Sequence, residues 1–148
     1  MIKTGENMYK RILLPTDGSK GSENAAKHAL VIAQAFDSVI YVLNVMETRP
    51  TSGVTVDILK KEGELALEKI SRLFKDMEKE SGYNKKIKKC FLIQEGSASD
   101  EIIKTAEKEN MELIVIGGSG KHRVERFILG SVAEKVVRDA TSPVLTVH

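Results

Sequence analysis

The chain predicts an α/β fold, a single-domain, doubly wound five-stranded parallel sheet in the order 3-2-1-4-5 with helices on both faces. Three observations carry the prediction. Short apolar runs alternate with segments of helical period along nearly all of the 148 residues. The run Val39 to Val45 is almost wholly apolar and rich in β-branched residues, as a strand covered on both faces must be. The run Leu113 to Ile116 stops at a cluster of glycines and is followed by a further helical pattern, the strand, turn and helix of a parallel unit. Right-handed crossovers then place the helices on both sides, and a ligand belongs beyond the carboxyl ends of the strands, where chain order reverses.

Met1 to Asn7 is polar and precedes the patterned sequence; it reads as a flexible N-terminal extension, leaving 8–148 as the domain. Arg11 to Leu14 forms the first strand and Pro15 closes it by removing an amide. Thr16 to Ser22 supplies turn and cap residues, after which Ala26, Ala29, Leu30, Ala33 and Phe36 recur on one face of a first helix. Val39 to Val45 is the second strand, and Glu47 to Thr55 is a polar loop at its end. A second helix runs from Asp57 to about Ser81, with Leu59, Ala66, Ile70, Leu73, Phe74 and Met77 as its stripe and Gly82 as its stop. Gly63 weakens its early turns. Cys90 to Ile93 is the third strand, and Ser97 to Asp100 caps a third helix whose core side is Ile102, Ile103 and Ala106. After the fourth strand, Leu113 to Ile116, a fourth helix presents Val132, Ala133, Val136, Val137 and Ala140. Ser142-Pro143 ends it, and Val144 to Val147 is the fifth strand.

The chemistry gathers at the glycines after the fourth strand. Gly117, Gly118 and Gly120 are expected to take positive φ and to let a ligand approach the main chain. Gly130 and Ser131 open the fourth helix, and Ser131-Val132-Ala133-Glu134 has the letters of a capping box, with Ser131 and Glu134 satisfying two amides. The amides left over, with the positive end of the helix dipole, favour an anion. Lys121, His122, Arg123 and Arg126 lie between the two glycine positions, a basic insert suited to phosphate oxygens. The Pro15-Thr16-Asp17 turn and the Gly117 loop flank the same crevice in this strand order. A phosphate-bearing ligand follows. Gly120-Lys121-His122 fails the Walker pattern and Gly118-Ser119-Gly120 fails the dinucleotide fingerprint, so neither of those sites applies. Asp17 equally suits an Asx turn or a helix cap. His28 reads as structural, and His148 as no catalytic candidate.

Composition excludes other classes. With 41% hydrophobic and 30% charged residues the chain is neither disordered nor collagen-like. A net charge of +2 offers no strong field for nucleic acid or an anionic membrane, despite the basic run Lys85 to Lys89. The single cysteine, Cys90, forms no internal disulfide and is expected to be a buried thiol. No apolar run approaches the roughly 18 residues of a bilayer span, and no signal peptide is evident. A cytoplasmic location is expected, with no nucleic-acid or membrane partner. No metal cluster or catalytic triad is legible.

From Met8 onward the chain resembles the universal stress protein family. The residues that carry the likeness are Gly117, Gly120, and Gly130-Ser131 at the spacing of the family's nucleotide-binding members. Ile12 to Ser19, Asn44-Val45, and Gly130 to Val136 leading into Ser142 to Leu145 extend it. The resemblance implies a Rossmann-like fold that binds ATP, with magnesium, and places adenine near the Asp17 turn and the backbone of Val45. By the same implication Gly117 approaches the ribose, and Gly120, Gly130, Ser131 and Val132 hold the phosphates. The ligand-facing set is thus Pro15, Thr16, Asp17, Val45, Ile116, Gly117, Gly120, Gly130, Ser131 and Val132. Two departures stand out: Gly118-Ser119 replaces a small residue followed by His or Arg, and Ala98 replaces a proline frequent after Gly96. The family's habit of dimerising through its last strand implies a homodimer through Val144 to Val147, whose edge needs cover. The expected function is an ATP-binding regulatory module of stress response, read by an unknown protein partner. The alternatives are a slow ATPase or nucleotidyl-transfer enzyme, with Asp17 and magnesium positioning water, and a nucleotide-free dimerisation module.

Overall fold

In a computed structural model, which describes residues 8–48, 53–118 and 129–148, the chain forms one parallel sheet. The strands are β1 (Arg11–Pro15), β2 (Val39–Met46), β3 (Lys89–Glu95), β4 (Leu113–Gly117) and β5 (Val144–Val147), in the order β3-β2-β1-β4-β5. Between them lie α1 (Lys20–Phe36), α2 (Val56–Ser81), α3 (Ala98–Lys108) and α4 (Ser131–Asp139). The predicted sheet, order and alternation are all present. The extension Met1 to Asn7 lies outside the described residues.

Two apolar layers follow from the period-two alternation of the strands. Ile12, Leu14, Ile40, Val42 and Val115 point to one face and meet Ala26, Ala29, Leu30 and Ala33 of α1 and Leu67, Ile70 and Phe74 of α2. Leu13, Leu43, Ile114 and Ile116 point to the other and meet Ile102 and Ala106 of α3 and Ala133 and Val136 of α4. Small alanines on α1 let that helix sit close to the sheet, so its N-terminus lands against the end of β4.

Helix ends obey local chemistry. Ser19 caps α1 by accepting the Ser22 amide, and Thr55 caps α2 by accepting that of Ile58. Gly82 ends α2 at φ 66, the left-handed turn expected there. Ser97 caps α3 in position only. Its side chain makes no cap bond, and the Glu47 carboxylate accepts the Ala98 amide at 2.8 Å in its place.

Burial refines the predicted faces: Leu73, Met77 and Ile103 pack at the core margin as expected, and other positions differ. Cys90 is half-buried, because β3 is an edge strand, and its neighbour Phe91 is 40% exposed. Val137, placed on the core face of α4, is 46% exposed: the helix is short, and only Ala133 and Val136 are fully covered. Ile103, Leu59, Leu73 and Met77 are half-buried, whereas Leu67, absent from the predicted stripe, is in the core. Phe36 is half-buried and meets Tyr9 edge to face at 5.2 Å. His28 is exposed on α1 and takes no part in the packing described.

An ionic tie joins α1 to α2. Lys69 reaches Glu23 at 3.1 Å and the Gly18 carbonyl at 3.3 Å. Burial pulls the Glu23 carboxyl upward, but the hydrogen bond and charge of Lys69, with Lys20 beside it, outweigh burial and hold the group below its ordinary 4.5. A carboxyl whose folded pKa is depressed adds stability above the unfolded value, and loses it as pH falls through the folded one. Glu23→Gln is therefore expected to be less stable than wild type at pH 7 by under about 1 kcal/mol. The two should converge as pH falls through the folded pKa of Glu23, below which it is protonated in both folded and unfolded chains. Urea unfolding at pH 7 and below that pKa checks this, and a gap that persists in acid would refute it.

Candidate functional site

β1 ends at Pro15 and the chain turns away, while β2 continues to Met46. The Thr16 amide makes one further ladder bond, to the Leu43 carbonyl at 2.8 Å. Asp17 Oδ1 accepts the Ser19 amide at 2.9 Å, so the Asx-turn reading of Asp17 is realised. Gly18 follows at φ 80, which glycine adopts without strain. The buried Thr16 hydroxyl donates to Ser22 Oγ at 3.0 Å and accepts the Gly18 amide at 3.2 Å, locking the turn to α1.

The backbone of Val45 is left over by this topology. Leu43 faces β1 through its bond from Thr16, and Met46 faces β3 through its bond from Gly96 at 3.0 Å. Successive residues of a strand face opposite neighbours, so the N–H and C=O of Val45 point to the side that β1 has vacated.

Across the crevice, Gly117 and Gly118 leave β4. Neither takes the positive φ that glycine allows; at Gly117 the reason for glycine is want of space. A Cβ on Gly117 would stand 2.8 Å from the Gly21 carbonyl carbon and 3.1 Å from the Ser22 nitrogen, at the first turn of α1. A Cβ on Gly118 would stand 2.7 Å from the His148 ring. The Gly118 amide donates to the Val147 carbonyl at 2.8 Å, and its carbonyl accepts the Gly130 amide at 2.6 Å, which ties the two glycine positions together.

The predicted capping box does not form. The N-cap is Gly130 (φ −63, ψ 158), Ser131 is the first helical residue, and no side chain among the described residues caps α4. Glu134 therefore falls one position too far along, its amide bonds the Gly130 carbonyl at 2.9 Å, and its carboxylate meets Arg138 at 3.5 Å. A glycine cap leaves the first-turn amides of Ser131, Val132 and Ala133 open, so more donors are available to an anion than the box would have left.

These turns enclose one cleft of about 690 Å3 at the carboxyl ends of the strands, within the range of small-ligand pockets. Pro15, Thr16, Asp17, Val45, Ile116, Gly117, Gly130, Ser131 and Val132 all line it. Gly120, with the basic residues Lys121, His122, Arg123 and Arg126, lies outside the described residues. Sequence reasoning overlooked Ser22, Asn44, Glu47, Glu62, Gly63 and Ala98, which also line the cleft. Asn44 left a signal, as a carboxamide inside an apolar strand, and so did Gly63, as a glycine inside a helix. Glu47 and Glu62 looked like any surface carboxylates. A second depression of about 500 Å3 lies on one face of α2, between Leu65 and Asp76, where the backbone is already bonded within the helix.

Fold and cleft define a doubly wound α/β protein with a crevice at its switch point and the glycine-capped N-terminus of α4 on one wall. The chain belongs to the universal stress protein family, whose model matches residues 8–148. It is 42% identical to Universal stress protein MJ0531 of Methanocaldococcus jannaschii over 155 residues, which cover 99% of this chain and 86% of that one. Among solved structures it is similar to MJ0577 of the same organism, with a TM-score of 0.71, 31% identity, and coverage of 95% of this chain and 96% of that one. It is also similar to a universal stress protein crystallised in complex with cAMP, with a TM-score of 0.68, 26% identity, and coverage of 96% and 99%. Among the described residues, no helix is long and apolar enough to cross a membrane.

Proposed function

We propose that the chain is an ATP-binding regulatory module of stress response, whose occupancy alters the surface that a protein partner reads. The observation that carries this is the glycine-capped N-terminus of α4, opening its amides onto a cleft whose far wall is the Asp17 turn and the vacant backbone of Val45. The amides suit phosphate oxygens, and the Val45 N–H and C=O suit a base edge with one acceptor and one donor. A similar universal stress protein crystallised in complex with cAMP supports an adenine nucleotide as the ligand. Magnesium keeps several waters and needs only one or two carboxylates beside phosphate; Asp17 stands at the base end of this cleft, so an ion that accompanied phosphates at α4 would be held by the phosphates and water rather than by Asp17.

The test is mass spectrometry of nucleotide released from natively purified protein, followed by calorimetric titration of the stripped protein. Co-purifying ATP and saturable binding are expected. A protein that carries and binds no nucleotide would leave only the family's fold. Turnover assays on wild type and Asp17→Ala separate the regulatory module from a slow ATPase.

The same reading takes the chain as a cytoplasmic homodimer through β5. That strand lies at the sheet edge, and an open edge invites a second copy. Pro143 and Val147 turn their carbonyls to β4, so the N–H of Thr146 faces outward. Thr146→Pro should remove an edge donor without touching the β4 ladder, halving the mass seen in sedimentation while the helical circular dichroism is kept. A folded Thr146→Pro variant that sediments like wild type would exclude β5 as the interface.

A further inference from the structure

We propose that the side-chain oxygen of Asn44 accepts a hydrogen bond from the amino group of the bound base, and so makes the cleft prefer a 6-aminopurine to a 6-oxopurine. The inference rests on the nucleotide reading above.

Asn44 is 8% exposed, at the end of β2 among apolar neighbours, on the sheet face covered by α1 and α2. Its Nδ2 donates to the Thr16 carbonyl at 2.9 Å. That bond settles which way the carboxamide points, since the opposite flip would set two oxygens against each other. Oδ1 is then left without a protein donor among the described residues. Every fully buried side-chain nitrogen or oxygen among those residues has a partner, so Oδ1 keeps some accessible surface, and Asn44 lines the cleft. A nearly buried acceptor without a donor calls for an explanation, and a ligand amino group is one.

Gly63 supports this independently. Glycine is among the least favourable residues inside a helix, yet it stands in the third turn of α2, directly beside Asn44. A Cβ at that position would lie 2.5 Å from Oδ1 and 3.2 Å from the carboxamide carbon. Glycine is what keeps the acceptor uncovered. The next residue, Val45, turns its N–H and C=O to the vacated side of β2, and the α4 amides stand on the opposite wall. A nucleotide with phosphates at α4 therefore brings its base to the end of β2. There an amino group at C6 meets Oδ1 as a donor, whereas a C6 oxygen meets it as a second acceptor.

Calorimetric titration with ATP and ITP tests the assignment. Wild type should bind ATP about tenfold more tightly than ITP, the scale of one hydrogen bond kept or lost in a half-dry site. Asn44→Leu, close in volume, should shrink the ratio, mainly by weakening ATP, and leave only the preference set by the Val45 main chain. Because that change also removes the bond to Thr16, Gly63→Ala serves as the second variant: it keeps the Asn44 side chain and crowds its carboxamide from the oxygen side, and it too should shrink the ratio. Circular dichroism identifies the folded variants. Equal affinity of wild type for ATP and ITP overturns the assignment, as does an undiminished ratio in folded Asn44→Leu or, should that variant not fold, in Gly63→Ala. A wild type that binds neither nucleotide overturns the nucleotide reading itself, which is a separate and distinguishable result.

Discussion

Replacing Gly117 by valine is expected to lower the free energy of unfolding by about 3 kcal/mol, the upper part of the range for overpacking a tight interior. The reason lies in what a side chain there would meet. The first added carbon falls 2.8 Å from the Gly21 carbonyl carbon and 2.9 Å from its oxygen, and these are backbone atoms of a helix whose inner face is fully buried. A flexible side chain would swing aside; the first turn of α1 cannot. Relief requires α1 to lift from β4, which uncovers Ala25, Ala26 and Ala29, or β4 to lose its pairing of Gly117 with Val147. Urea unfolding followed by circular dichroism gives the midpoint shift. A variant as stable as wild type would mean that α1 and β4 do not approach as closely as described.

Gly130→Val should do the reverse, leaving the fold and removing the ligand. At φ −63 and ψ 158 the residue has a backbone any amino acid adopts, so valine introduces no strain of that kind. Its cost as a helix cap, relative to glycine, is about 1 kcal/mol. Its methyl groups, however, would stand at the mouth of the open amides of Ser131 and Val132, where phosphate oxygens must come within hydrogen-bond distance. ATP affinity is expected to fall by about 100-fold or more, equivalent to ~2.7 kcal/mol, while the unfolding midpoint moves only slightly. Calorimetry on a variant shown to be folded decides it; wild-type affinity would remove α4 as the phosphate site.

The contrast between these two glycines marks where sequence reasoning reaches its limit. Both belong to the turn that the spacing singled out, and both were read as serving a ligand. Spacing along a chain carries no information about what lies on the far side of a residue. Gly117 is glycine because the backbone of α1 comes back against it, a contact made across more than 90 residues of chain. The capping box failed for a more local reason. The letters S-x-x-E identify a cap only if the helix starts where they require, and here it starts with Gly130 as its cap, because the Gly130 amide is held by Gly118.

Asn44 and Gly63 make the same point from the other direction. Each broke its local pattern, a carboxamide in an apolar strand and a glycine in a helix, and each alone reads as a blemish. Only when β2 and α2 are packed together do they turn out to be two halves of one contact, with the Thr16 carbonyl as the third party. Irregularities of this kind concentrate where a fold serves a purpose beyond its own stability.

The amino-acid sequence by itself determined the alternation of strands and helices and the parallel class of the sheet, with a crevice beyond its strand ends. Those depend on period, cap residues and the handedness of crossovers, which are properties of neighbouring residues and of L-amino acids generally. Tertiary structure alone decided which glycines make room for helices, which amides stay open on α4, and which acceptor is left bare at the end of β2. Those are questions of distance between elements remote in the chain, and a distance of 2.5 Å or 2.8 Å exists only once the layers have closed.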